Sequence, residues 1–210
     1  MTKKPNCTAV ILSGGINSRM DGQNKAFLLL GNKMFLNLFC DTLSRAFNEI
    51  IIATREPGLY EKYNLKTAVD IFNIRSPLAG IHAALSCMEN EYAFVTTCDT
   101  PLLKKEIIHI LVDAVIPGID VVVPFSGTYF QPLCAVYSKR CIPLIEKMLV
   151  QNKVKVDLLF DRVRVKKIDY KEFEAVDPHL DSFFNINTPD DLAAAENIYC
   201  HHLRKRPLQG

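Results

Sequence analysis

The sequence has no surplus of charge of either sign: 25 lysines and arginines face 23 aspartates and glutamates, for a formal net charge of +2. A polyanionic partner calls for a basic field that this balance does not supply, so nucleic acid is not an expected partner, while a small anionic ligand is compatible. Long apolar runs are lacking too. Segments such as Ile50 to Ala53 and Val121 to Val123 fall far short of the roughly 18 residues that suggest a membrane span. Two N-terminal lysines precede only a short apolar stretch before Ser13 and its glycines, too short for a secretory h-region, and the expected setting is soluble and cytoplasmic.

Paired cysteine motifs are also missing. Cys7, Cys40, Cys87, Cys98, Cys134, Cys141 and Cys200 contain no Cys-x-x-Cys, and their number is odd. Most have apolar neighbours, where a free thiol behaves as a small buried hydrophobe rather than as part of a zinc or disulfide framework. His82, His109, His179, His201 and His202 form no triad and no metal spacing with the cysteines and acids. Histidine-based nucleophilic machinery is therefore not expected, and His82 reads as a residue of the helix after Gly80.

What is present is an alternation. Thr8 to Leu12, Glu49 to Thr54, Tyr92 to Cys98 and Ile119 to Pro124 are nearly continuous apolar segments, as parallel strands covered on both faces require; Lys66 to Val69 is a weaker fifth. Between them lie helical stripes: Phe35, Phe39, Leu43 and Phe47, then Ile107, Ile108, Leu111, Val112 and Val115. This order predicts an open, doubly wound, mostly parallel α/β sheet with its ligand crevice at the carboxyl ends of the strands. Pro124, Gly127 and Pro132 interrupt the alternation and predict a sheet excursion or hairpin, with a strand at Leu133 to Tyr137. Helices at Arg140 to Val150 and Val156 to Phe160 and a strand at Arg162 to Ile168 follow. A last helix opens at Thr188-Pro189-Asp190-Asp191, where threonine caps and acids complement the dipole. One domain over residues 1–200 is expected, with residues 201–210 a basic, solvated tail.

The most informative stretch follows the first strand: Leu12-Ser13-Gly14-Gly15-Ile16-Asn17-Ser18-Arg19-Met20, then Lys25. Two glycines let main-chain N–H groups approach phosphate oxygens, and Arg19 and Lys25 add positive charge. Neither a Walker A loop nor a dinucleotide GxGxxG is present, since Lys25 lies between Asn24 and Ala26. Asp99 ends the strand Tyr92 to Cys98; its position suits either a hard-oxygen magnesium ligand or the cap of a helix begun by Thr100-Pro101. Asn185 and Asn187 alternate on a short extended segment, so they share a face and either orient a phosphate or metal-bound water or simply form the turn before the last helix. Asp70, by sequence alone, is a turn aspartate.

Together these motifs resemble the molybdenum-cofactor guanylyltransferases. LSGGINSRMDGQNKAFLLLG is similar to that family's L-A-G-G-x-x-x-R-M-G-x-x-K loop, Ser76-Pro77-Leu78-Ala79-Gly80-Ile81 to its G-P-L-A-G-I, Cys98-Asp99-Thr100-Pro101 to its C-D-x-P, Gln131-Pro132-Leu133 to its Q-P-L, and Phe184 to Pro189 to its F-x-N-x-N-T-P. The resemblance covers about residues 8 to 195. It implies a Rossmann-like nucleotidyltransferase fold and transfer of GMP from GTP to the phosphate of molybdopterin, or Mo-molybdopterin, with release of pyrophosphate. It also implies Mg2+ on Asp99, catalytic roles for Arg19, Lys25 and Asp99, and nucleotide contacts at Leu12, Ser13, Gly14, Gly15, Lys25, Asp70 and Asp99. The acceptor would meet Arg19, Pro77, Leu78, Gly80, Gln131, Asn185 and Asn187. Other cofactor-biosynthesis proteins and apo-molybdoenzymes are the implied partners. Three positions depart from the pattern: Ser13 stands where alanine is common, and Asp21 and Ser76 where glycine is usual. Use of CTP or of another phosphate acceptor, and a silent nucleotide- or cofactor-binding homologue, are the alternatives.

Overall fold

The computed structural model describes residues 6–14 and 24–204. Along these residues run β1 (Cys7–Leu12), β2 (Leu29–Leu30), β3 (Lys33–Met34), α1 (Phe35–Ala46), β4 (Ile50–Ala53), β5 (Lys66–Ala68), α2 (Pro77–Cys87), β6 (Tyr92–Thr97), α3 (Lys105–Asp113), β7 (Val121–Phe125), β8 (Ala135–Ser138), α4 (Ile142–Val150), α5 (Asp157–Phe160), β9 (Val165–Asp169), α6 (Lys171–Glu174) and α7 (Pro189–Arg204). Seven strands form one sheet in the order β5-β4-β1-β6-β8-β7-β9, and β2 and β3 make a separate small hairpin. Only β8 runs against its neighbours β6 and β7; the other pairings in the large sheet are parallel.

Both faces of the sheet are covered, which explains why its strands lack polar alternation. Ala9 and Ile11 of β1 pack into one core with Phe35, Phe39 and Leu43 of α1 and Ile107, Ile108 and Leu111 of α3. Val10 and Leu12, pointing the other way, join Leu78, Ile81 and Leu85 of α2 and Ile145, Met148 and Leu149 of α4. The expected doubly wound sheet is thus the observed one. The interruption after β7 is a hairpin, with Phe125 bridged to Phe130 and Gly127 at φ +88°. No helix among the described residues is long and apolar enough to cross a membrane.

Several boundaries differ from the sequence reading, and three of them are informative. Phe47 lies beyond α1 with extended backbone, and its buried ring stacks on Phe94 of β6 at 5.8 Å, so it extends the core but not the helix. Arg162 still closes a turn on Leu159, which delays β9 to Val165. The first four residues of the expected tail continue α7, where His202 Nε2 lies 2.9 Å from Asp181 Oδ2; residues 205–210 lie outside the described residues.

A buried carboxylate ties the C-terminal region to the start of α3. Asp177 is fully buried and accepts bonds from Lys104 Nζ at 2.6 Å and Ser182 N at 2.8 Å, while Ser182 Oγ accepts from Lys104 N at 3.0 Å. Burial pushes its carboxyl up, but Lys104 and Ser182 outweigh this and hold it below the ordinary range. A depressed folded-state value gives stability that is present above the unfolded value and lost as pH falls through the folded one. Asp177→Ala should therefore cost about 2 kcal/mol at neutral pH, less than for a pair buried on both sides because Lys104 is partly exposed. Urea melts at pH 7 and at about pH 3 check this: the gap between wild type and variant narrows in acid.

Candidate active site

In this strand order the chain reverses direction across the sheet between β1 and β6, and that switch point opens a crevice at their carboxyl ends. Leu12 and Thr97 are partners in register, and Cys98 N donates to Leu12 O at 3.2 Å. Ser13-Gly14 and Cys98-Asp99 therefore leave the sheet side by side. Leu12 and Ser13 have buried side chains and can offer a ligand only backbone. Gly14 is exposed, and a Cβ built on it would meet nothing within 4 Å. Among the described residues nothing packs against this glycine, which leaves its main chain approachable from that side. Gly15, Arg19 and Asp21 lie outside the described residues.

Lys25 opens a short 3-10 turn, Lys25–Phe27, which Asn24 caps by accepting from Ala26 N at 3.0 Å. Its side chain is nearly buried: Nζ donates to Asn187 Oδ1 at 2.6 Å and lies 3.6 Å from Asp99 Oδ2. The second carboxylate oxygen of Asp99 accepts from the Thr97 hydroxyl. The Asp99 carbonyl accepts from Ile186 N at 2.8 Å, which draws the 185–187 segment against the end of β6. Three regions far apart in sequence thus converge on one ammonium group.

Around Ile186, which is buried, Asn185 and Asn187 are both exposed, so the shared face expected from their spacing is present. The turn role and the site role of Asn187 coincide. Its backbone N–H and that of Thr188 donate to Asp191 Oδ2 at 2.9 and 2.8 Å, and Thr188 Oγ1 accepts from Asp191 N at 3.1 Å, a reciprocal cap for α7. The Asn187 and Thr188 bonds hold the Asp191 carboxyl below its ordinary range. Its side chain meanwhile faces Lys25. Asn187 and Lys25 therefore stand against each other in the crevice, the ammonium donating and the amide oxygen accepting.

The remaining candidates spread along the crevice. Asp70 follows β5, two strands from β1, half-buried; burial pushes its carboxyl up, against the opposing fields of Arg55 and His82. Pro77 is exposed at the first turn of α2, whose cap Ser76 accepts from Ala79 N at 3.2 Å. Leu78 is fully buried in the core, and a Cβ on Gly80 would lie 3.2 Å from Leu12 and 3.7 Å from Ala53. These two place the start of α2 closely against β1 and β4 and offer no side chain to a ligand. Gln131 lies in the β7–β8 hairpin, where its backbone N–H donates to Pro124 O at 3.0 Å and its carbonyl accepts from Cys134 N at 3.1 Å. Sequence reasoning overlooked Thr97 and took Asp191 only as an acid facing the helix dipole, not as the cap that holds Asn187. The Thr188-to-Asp191 spacing of a capping box was the available signal for the second.

An α/β sheet with a lysine and an acid gathered at its switch point has the ligand crevice of the doubly wound class. Residues 9–164 match the family model described as MobA-like NTP transferase domain, and the chain belongs to that family. It is 40% identical over 189 residues to the molybdenum cofactor guanylyltransferase of Desulfosudis oleivorans, covering 90% of this chain and 94% of the relative. A Clostridium perfringens protein named a probable molybdenum cofactor guanylyltransferase is 34% identical, covering 88% and 93%. The crystal structure of molybdopterin-guanine dinucleotide biosynthesis protein A from Archaeoglobus fulgidus superposes with a TM-score of 0.83 at 28% identity, covering 92% of this chain and 99% of that one.

The geometry separates the two asparagines. Asn187→Ala removes an acceptor from a nearly buried ammonium and should destabilise the ligand-free protein by about 1 kcal/mol, whereas Asn185→Ala should change it by less than about 0.5 kcal/mol. Urea unfolding of both variants measures the difference.

Proposed function

We propose that the protein transfers the GMP part of GTP to the terminal phosphate of molybdopterin, giving molybdopterin guanine dinucleotide and pyrophosphate. One observation carries the reading beyond family membership: Lys25, Asp99 and Asn187 meet beside the open backbone of Gly14 at the sheet's switch point. An acceptor phosphate is already largely ionised near neutral pH, its second pKa being about 6, so its oxygen attacks the α-phosphorus without a general base. The new O–P bond forms as the bond to the β-phosphate oxygen breaks, and pyrophosphate leaves with that electron pair. Positioning and charge neutralisation are then the work of the protein. Backbone at Ser13-Gly14 and the Lys25 ammonium suit the triphosphate, and Asp70 suits the nucleoside at the far side of the crevice.

This chemistry also calls on no thiol nucleophile. Burial, reinforced by Asp99, pushes the Cys98 thiol up to about 11, so it stays protonated at neutral pH and is a poor nucleophile. Asp99 offers a hard, partly exposed carboxylate, and among the described residues no cluster of three or more His, Cys, Asp or Glu side chains could cage a metal. That donor set fits Mg2+, which takes one or two protein carboxylates together with substrate phosphates and waters. Bound there, the ion would neutralise charge on the reacting oxygens. A cytoplasmic enzyme that hands its product to other cofactor-biosynthesis proteins or apo-molybdoenzymes is the matching cellular role.

Incubation with each of the four nucleoside triphosphates, Mg2+ and molybdopterin, followed by pyrophosphate release, tests the reading; turnover with CTP in place of GTP would overturn it. Asp99→Asn should abolish turnover while circular dichroism and Tm show an intact fold, and near-normal activity of this variant would remove Asp99 from the chemistry. Lys25→Ala should raise the KM for GTP by the equivalent of about 1–3 kcal/mol, the worth of a charge-assisted phosphate contact, as read by initial rates and calorimetry.

A further inference from the structure

The 3-10 segment Pro57–Tyr63 lies between β4 and β5, and neither the motifs nor the mechanism has used it. Tyr60 within it is completely buried, and its ring stacks on Phe27 at 5.4 Å, in the same short turn as Lys25. A buried hydroxyl needs partners. Tyr60 Oη lies 2.5 Å from Ser13 Oγ and 3.1 Å from Asn24 Nδ2, and Ser13 Oγ lies 3.3 Å from Asn24 Oδ1.

The direction of each bond follows from donor accounting. Ala26 N–H can only donate, and it donates to Asn24 Oδ1, so the asparagine must present its Nδ2–H to Tyr60. Tyr60 Oη accepts there and gives its own proton to Ser13 Oγ. Ser13 then gives its proton to Asn24 Oδ1, which closes a three-membered ring of bonds. Ser13 precedes Gly14, and Asn24 precedes Lys25. The ring therefore ties the exposed backbone of Gly14 and the ammonium-bearing turn to one buried side chain from the β4–β5 connection. Ser13, a departure from the alanine common at this position, supplies the hydroxyl that the closure requires.

From this geometry we infer that Tyr60, acting through Ser13 and Asn24, is a positioning residue for the nucleoside triphosphate, fixing the spacing between Gly14 and Lys25 before the ligand arrives. The inference rests on the proposed nucleotidyl transfer only in requiring that a triphosphate occupies those two residues. Holding a binding surface in its bound arrangement lowers the cost of association, and a contribution made equally to ground state and transition state acts on KM rather than on kcat.

Tyr60→Phe keeps the ring and its stacking and deletes only the hydroxyl; Ser13→Ala opens the same ring from the other side. For whichever of the four nucleoside triphosphates the wild type binds, each variant should raise KM and the calorimetric Kd about tenfold while kcat stays within about twofold. The double variant should be no weaker than the weaker single one, because a ring is opened only once. A purely structural role would lower Tm and leave Kd, measured well below Tm, within twofold of wild type. That result, or single effects on Kd that multiply in the double variant, would overturn the inference. Binding of a triphosphate other than GTP by the wild type would instead overturn the guanylyl reading, with the positioning test still read on the nucleotide that binds.

Discussion

A nearly buried lysine must be surrounded by oxygen, and the arrangement around Lys25 follows from that requirement. Removing an ammonium group from water is costly unless an opposite charge and good acceptors replace the lost solvation. Asp99 supplies the charge and Asn187 the closer acceptor, from the ends of β6 and of the segment before α7. Each is held in turn by its own support. Thr97 fixes the carboxylate, the Ile186 amide holds the Asp99 carbonyl, and the Asp191 cap holds the backbone of Asn187. The site is therefore a chain of mutual constraints rather than a set of independent side chains.

That chain can exist only because the sheet brings its ends together. Parallel strands with a reversal of order between β1 and β6 place two loop starts side by side, and helices packed on both faces keep the strand ends from moving apart. Gly80 contributes by letting α2 approach Leu12 and Ala53. The C-terminal region is anchored separately, by the Lys104–Asp177 pair, so the asparagine segment is held at the crevice from both its ends. Stability and site geometry share the same residues, and Tyr60 extends that sharing to the β4–β5 connection.

Much of this was legible in the chain. Continuous apolar segments alternating with four-residue stripes sufficed for a doubly wound α/β sheet, because strands buried on both faces carry mostly apolar side chains. The glycine pair after the first strand, Lys25, and Asp99 after the third long strand marked the crevice, since residues just beyond strand ends are where such sheets bind ligands. Phe47 shows where local periodicity stops being informative: it continues the stripe of α1 in sequence, yet packing against Phe94 takes it out of the helix. Leu78 shows the same for motifs, since a residue inside a recognisable pattern can serve the core alone.

By itself the sequence determined the kind of fold, the end of the sheet where chemistry occurs and the residue types available there, because periodicity and turn chemistry are local properties of the chain. Only the tertiary structure decided who meets whom. Lys25 and Asn187 are 162 positions apart, and Ser13, Asn24 and Tyr60 come from three separate segments. No local pattern encodes those contacts, since they arise from strand order and from the need of each buried polar group for a partner, which is settled only when distant segments pack together.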